Sequence, residues 1–231
     1  MFTFFNMTEK TFVKQLEKIF EQEGFFTKRE VGVGYGVADL VLVKLNPKQC
    51  AIRLENKQFK PLLREEFFKI FYHLPDIDSG ESPVDLDYLI QKTSLSKSFL
   101  KYSVLKQLEK DGYVKRVEKN FYFKINGWIP IAKEIVAIEA KMKDWKRGFL
   151  QANRYKSFAN KVYLAVPSKI EHLVDKKLLQ KHNVGLIVLD TGSNKKKTLP
   201  VKTIEPLNQF KHNLATEFVL TRKILANSAS F

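Results

Sequence analysis

Residues 134–155, EIVAIEAKMKDWKRGFLQANRY, constrain the fold of this chain more than any other stretch: an apolar β-type run ends in Glu139-Ala140-Lys141 and passes directly into a basic helix. Successive side chains of a strand point to opposite faces, so Glu139 and Lys141 share one face while Ala140 turns into the packing on the other. A carboxylate and an ammonium are thereby held side by side at a strand end. The carboxylate can ligate a hard divalent cation, and the ammonium can steady a phosphate or a water nucleophile, which together equip a site for metal-assisted phosphodiester hydrolysis. A surface ion pair has the same spacing, so the triplet gains meaning from the helix that comes after it. Gln151 and Tyr155 lie four apart on that helix and stack on one face with Arg147.

A strand ending in Glu-x-Lys, a helix carrying Gln-x-x-x-Tyr and an apolar strand over 162–166 closed by Pro167 resemble the PD-(D/E)XK nuclease superfamily, in its RecB-like branch. That resemblance calls for an Asp on the preceding core strand. Asp39 in GYGVADLVLV takes the place, although the family's usual Pro before it is Ala38 here. The run 38–43 is apolar on both faces, as a central strand covered by helices should be, and a lone Asp at its start needs a reason to be there. The implied fold is α/β, a restriction-endonuclease-like mixed sheet flanked by helices. By the same resemblance Asp39 and Glu139 bind Mg²⁺ or Mn²⁺, Lys141 acts at the attacked phosphate, and Gln151 and Tyr155 order the site. A first-helix Glu can also reach the metal in such nucleases. Thr8 and Gly24 bound an amphipathic helix over 8–23, and Glu17, at the border of its apolar arc, is the candidate.

Gly32, Gly34 and Gly36 lead into a strand rather than opening a helix, which excludes a phosphate-binding loop. After Asn46-Pro47, residues 50–54 read as a second apolar strand running into Glu55-Asn56-Lys57, a rival Glu-x-Lys. No Gln-x-x-x-Tyr helix comes after it, which favours Glu139 and Lys141 and leaves the rival open.

Residues 58–126 read as a separate insertion, splitting the α/β core into 1–57 and 127–231. The expected pattern is helix, acidic loop, helix, short turn, a third helix over 96–110, and two short strands around Glu118-Lys119-Asn120. This resembles a winged helix-turn-helix. The third helix buries Leu100, Val104, Leu105 and Leu108 and presents Lys97, Lys101 and Tyr102 outward, as a recognition helix would, while Lys115, Arg116 and Lys119 lie on the wing. A second basic strip begins beyond Lys141, where Lys143, Lys146, Arg147 and Arg154 are placed to meet phosphates. Downstream, the sequence predicts a helix over 169–181, a strand over 184–190, a disordered loop at 195–197 and an amphipathic helix over 207–225.

The formal net charge of +15 predicts attraction to polyanions, nucleic acid first among them. A single Cys50 and four histidines without paired ligand spacing argue against zinc. The apolar start lacks a basic n-region, and no apolar run approaches the ~20 residues of a membrane span, so a reduced, cytoplasmic protein without a membrane partner is expected. The expected activity is metal-dependent hydrolysis of DNA. The sequence leaves open a catalytically inactive DNA-binding relative, a transcriptional regulator reading DNA with the winged helix, and a homodimer or a subunit of a larger DNA-processing complex.

Overall fold

The computed structural model describes residues 7–34, 36–58, 60–125 and 128–227, with side chains described to Thr221. The expected inner boundary at 126/127 and the apolar start over 1–6 lie outside the described residues. In chain order, α1 (Glu9–Gln22), β1 (Phe26–Gly32) and β2 (Val37–Leu45) are followed by α2 (Pro47–Glu55), α3 (Glu65–His73), β3 (Val84–Asp85), α4 (Leu86–Thr93), α5 (Lys97–Phe99), α6 (Lys106–Lys110), β4 (Val114–Glu118) and β5 (Phe121–Lys124). Then come β6 (Ala132–Ala140), α7 (Trp145–Arg154), β7 (Lys161–Pro167), α8 (Lys176–Lys181), β8 (Gly185–Leu189), β9 (Lys196–Leu199) and α9 (Gln209–Asn227). Contacts divide the chain into two compact units, Met1–Lys44 with Ala132–Leu220, and Leu45–Ile131 with Thr221–Phe231.

The first unit is α/β, built on a mixed sheet in the order β1-β2-β6-β7-β8-β9. β6, β7 and β8 run parallel, while the β1/β2 and β8/β9 pairs are antiparallel. Helices lie on both faces, which is why the central strands are apolar throughout. On one face α1 sets Phe12, Val13, Leu16 and Phe20 against Leu40, Leu42, Val136, Ile138 and Ala140. Thr8 caps that helix by accepting from the Thr11 amide, and Gly24, at φ +82°, turns the chain out of it. The two-residue period then puts Asp39 and Glu139 on the opposite face, the side that α7 covers.

The second unit has its own core, with Phe67, Phe68 and Ile70 of α3, Leu86 and Leu89 of α4, and Leu100, Val104, Leu105 and Leu108 all buried. β3, β5 and β4 form a three-stranded sheet in that order, and Asn120, at φ +73°, turns the β4/β5 hairpin. Between α5 and α6 the chain keeps winding through a π-helical stretch, Leu100–Leu105, so the third helix is continuous but locally widened.

The structure differs from the sequence reading at four places. The expected strand over 50–54 is helix α2, because Asn46 caps it by accepting from the amides of Lys48 and Gln49 and Pro47 occupies its first turn. Residues 45–57 pack with the second unit, where buried Arg53 donates to the Gln58 carbonyl oxygen at 3.0 Å and the Tyr113 hydroxyl at 3.3 Å. The helix expected over 169–181 breaks at buried Val174, and Asp175 caps a new helix through the Leu178 amide. Lys195-Lys196-Lys197 does not lie in an unstructured loop: Lys196 and Lys197 are in edge strand β9, paired with β8, with Lys196 bonded to Glu23 at 2.6 Å. Among the described residues, no helix is long and apolar enough to cross a membrane.

Candidate functional site

β2 and β6 are neighbours in the sheet, and they bring two carboxylates to one place on the α7 side. An Asp39 carboxylate oxygen accepts the Ala140 amide at 2.8 Å, which ties the start of β2 to the end of β6. Glu139, 1% exposed, takes the Lys141 ammonium on one oxygen at 2.7 Å and the Tyr155 hydroxyl on the other at 2.5 Å. The Lys141 ammonium also lies 4.0 Å from Asp39, 3.1 Å from the Ala140 carbonyl oxygen and 3.4 Å from Glu9. Four oxygen-bearing groups thus converge on one cationic point.

Gly148 on α7 makes room for this arrangement. A Cβ there would come within 2.6 Å of both Lys141 Cγ and a Leu164 methyl, so a larger residue would push α7 off the sheet or Lys141 out of place. Tyr155, in the 3₁₀ turn that closes α7, contacts the Val37 carbonyl oxygen at 2.8 Å as well as Glu139, and so joins β2, β6 and α7.

Burial dominates the electrostatics. It raises the pKa of Glu139 above the ordinary carboxylate range, although Lys141 and Tyr155 pull it down, and it raises that of Asp39 against the opposing pull of the Ala140 amide and Lys141. Glu9 and Glu30 add repulsion at Asp39. Burial works against the charge of Lys141, but Glu139, Asp39 and Glu9 more than offset it, so the ammonium is held charged. The Tyr155 hydroxyl is pushed far up by burial and by the Glu139 carboxylate, and it stays a donor. Glu30 sits between the Arg29/Leu40 and Val31/Ala38 pairs of β1 and β2, opposite Asp39, with φ +57°. A non-glycine residue in that region costs of order 1–3 kcal/mol and such strain clusters at functional sites.

Of the expected site residues, the structure gathers Asp39, Glu139, Lys141 and Tyr155. Gln151 is nearby, lining with Lys141 and Arg147 an open pocket of about 360 Å³, and its buried side-chain oxygen has no hydrogen-bond partner among the described residues. Glu17 does not join the cluster: it forms an ion pair with Arg29 at 2.9 Å. The α1 carboxylate that reaches Lys141 is Glu9, one residue past the cap, which also lines a pocket with Asp39. The rival pair does not close a strand: Glu55 ends helix α2 and Lys57 lies just beyond it at φ +55°, in the second unit. Lys143, Lys146, Arg147 and Arg154 are exposed around α7. In the second unit Lys115, Arg116 and Lys119 are exposed on the hairpin, Lys97 lies 3.6 Å from Asp87, and half-buried Lys101 lies against the ring of Tyr102, itself 66% exposed.

Asp39, Glu139, Glu9 and the Ala140 carbonyl oxygen are hard oxygen donors of the kind Mg²⁺ and Mn²⁺ take. Their convergence on the Lys141 ammonium means that they already favour a cation, so their chemistry fits a divalent metal. Among the described residues, no three His, Cys, Asp or Glu side chains are arranged to hold a metal as they stand. The chain matches no protein-family model, and no curated protein sequence or solved structure matches it.

Tyr155→Phe tests the keystone hydrogen bond. Losing a buried bond to a charged acceptor should lower the stability of the first unit by about 1.5–3 kcal/mol, read by chemical denaturation. An unchanged midpoint would show that Tyr155 does not hold the cluster together.

Proposed function

We propose that the chain is a metal-dependent deoxyribonuclease, related to the PD-(D/E)XK nucleases. The observation that carries this reading is the pair Asp39 and Glu139 on neighbouring strands, with Lys141 between them and Tyr155 behind. The order α1, β1, β2, β6, α7, β7, with Asp on β2 and Glu-x-Lys closing β6, supports the resemblance carried by the sequence motifs. Asp39, Glu139 and Glu9, with the Ala140 carbonyl oxygen, would hold one or two Mg²⁺ or Mn²⁺ ions, which when bound polarise the scissile phosphate and activate a water. Lys141 supplies positive charge where the transition state gathers negative charge, and it moves from Glu139 to the phosphate as it does so. Tyr155 keeps Glu139 oriented through that exchange, and Gln151 and Arg147 face the pocket the phosphate enters. The exposed cations around α7 neutralise the flanking backbone. The test is cleavage of labelled single- and double-stranded DNA with Mg²⁺ or Mn²⁺ against EDTA, with Asp39→Asn, Glu139→Gln and Lys141→Met as the site variants.

Helices α3 and α4, the continuous helix from α5 to α6, and the β4/β5 hairpin support the further reading of 58–126 as an inserted winged helix-turn-helix that grips DNA. Lys97→Glu with Lys101→Glu should then weaken DNA binding and lower the slope of log K against log salt by about one unit per lost phosphate contact. An unchanged affinity and slope would make this unit a protein-docking module. One observation favours a second reading, a catalytically silent DNA-binding relative: Glu139 is fully occupied by Lys141 and Tyr155. Binding without cleavage in every metal would select it.

A further inference from the structure

Beside the Lys141 cluster, at the start of α7, lies a groove of about 670 Å³ that the proposed reaction does not use. Trp145, Leu173 and Leu178 give it an apolar lining, and Lys143 and Lys146 line it as well. Leu173 is 54% exposed, an apolar surface left open to water beside a half-buried indole. The two acids of the lining are engaged as helix caps, Asp144 accepting the Arg147 amide at 3.1 Å and Asp175 the Leu178 amide at 3.0 Å. Lys143 and Asp144 also line the pocket that holds Lys141 and Gln151, so the groove and the candidate site share a wall.

An indole flanked by aliphatic side chains offers a face for a flat apolar ring, and two exposed lysines in the same lining offer phosphate contacts. A nucleotide has both parts in one unit. Bases inside a duplex stack on each other and show only their edges, so an indole can take a base face only where the strand is unpaired. We propose that this groove seats an unpaired nucleotide of the DNA strand entering the Lys141 cluster, its base stacked on Trp145 and its phosphates against Lys143 and Lys146. The assignment rests on the nuclease reading and names its substrate class, DNA with a single-stranded or frayed segment next to the cleaved bond. A blunt, fully paired end would leave the apolar lining uncovered.

The chain has two tryptophans, and Trp128 packs against Phe68 and Phe71 in the second unit, so the full-length Trp128→Phe variant reports on Trp145 alone. Its fluorescence is titrated in EDTA with a fifteen-residue oligothymidylate and with a blunt duplex of equal length. Quenching by the single strand is expected, with far less by the duplex. In the wild-type background, tracked by anisotropy of a labelled oligothymidylate, Trp145→Ala should weaken binding about tenfold and Trp145→Phe much less, in line with the usual contribution of a base stacked on an aromatic ring. If Trp145→Ala does not fold, Leu173→Glu, which sets a carboxylate at the exposed lip, should produce the same tenfold loss. Equal quenching by both probes, or unchanged affinity in these variants, overturns the proposal. Binding is read without metal, so the two readings fail separately. Cleavage without Trp145 quenching removes the groove and leaves the nuclease, whereas quenching without cleavage in Mg²⁺ or Mn²⁺ leaves a single-strand site on a protein that is not a nuclease.

Discussion

Lys141→Met should lower the melting temperature of the first unit by about 6–20 °C at pH 8, the equivalent of about 3–5 kcal/mol in a domain of this size. Glu139 is the reason. Its side chain is 1% exposed and, among the described residues, Lys141 is the cation paired with it, at 2.7 Å, so the variant strands a buried carboxylate beside the Tyr155 donor. Removing one member of a buried pair costs far more than the pair contributes. The sign of the pH dependence is set by the raised pKa of Glu139, which climbs further once Lys141 no longer pulls it down. A carboxyl group with a raised folded-state pKa binds its proton more readily folded than unfolded, so stability falls as pH rises from the unfolded value through the folded one. Lowering the pH to 5 should therefore return part of the loss. Adding Glu139→Gln to Lys141→Met should return most of it at pH 8, because the double variant no longer strands the Glu139 charge, and the cycle isolates the pair. Cleavage should drop about 10²–10³-fold in Lys141→Met, as for loss of a preorganised donor to transition-state charge. A single variant that melts like the wild type at pH 8 would mean that Glu139 is not ionised in the folded protein.

Much of this site is legible in local signals. Thr8 and Gly24 bound α1 through cap chemistry, and the doubly apolar runs of β2, β6, β7 and β8 announce strands covered on both faces. Asp39 stands out as a lone acid at the start of an apolar strand, whereas Glu139, Lys141 and Tyr155 are marked by the resemblance of Glu-x-Lys and Gln-x-x-x-Tyr to the nuclease motifs. Less legible are features set by the pairing of distant elements. Glu17 and Glu9 lie eight residues apart on α1, and helical periodicity alone does not say which end of the helix meets the end of β6; the Arg29 side chain on β1 claims Glu17. Gly148 carries no local signature, since its importance is the 2.6 Å it leaves for Lys141. For α2 the signal is present in Asn46-Pro47, a cap with a first-turn proline, but the apolar run over 50–54 suggests a strand. Lys196 reads as a solvated charge run until β8 supplies a ladder and Glu23 an ion pair. Short edge strands take their structure from the neighbour, not from their own pattern.

Asp39→Asn should raise stability without metal and abolish the response to metal, and these opposite signs distinguish a metal site from a structural ion pair. Burial and the nearby Glu9 and Glu30 raise the pKa of Asp39, so its ionised form is held at a cost above its folded-state pKa. An asparagine removes that cost and can still accept the Ala140 amide through its side-chain oxygen. In EDTA at pH 8 the variant should melt above the wild type, as expected where a site trades stability for function. With Mg²⁺ or Mn²⁺ at about ten times the dissociation constant, the wild type should gain about 1.4 kcal/mol, or about 3–6 °C, because the ion binds the folded state and relieves the same repulsion. Neither Asp39→Asn nor Glu139→Gln should show that gain, and both should lose cleavage by about 10³-fold or more, the several kcal/mol that a positioned metal supplies. Glu9→Gln should halve the shift or better, since its carboxylate faces both Lys141 and Asp39, whereas Glu17→Gln should keep it in full. Glu55→Gln and Lys57→Met should behave as wild type throughout. If Asp39→Asn instead destabilises the protein in EDTA and leaves the metal response intact, Asp39 is a structural acceptor for Ala140, and the cation that these oxygens hold is Lys141 itself.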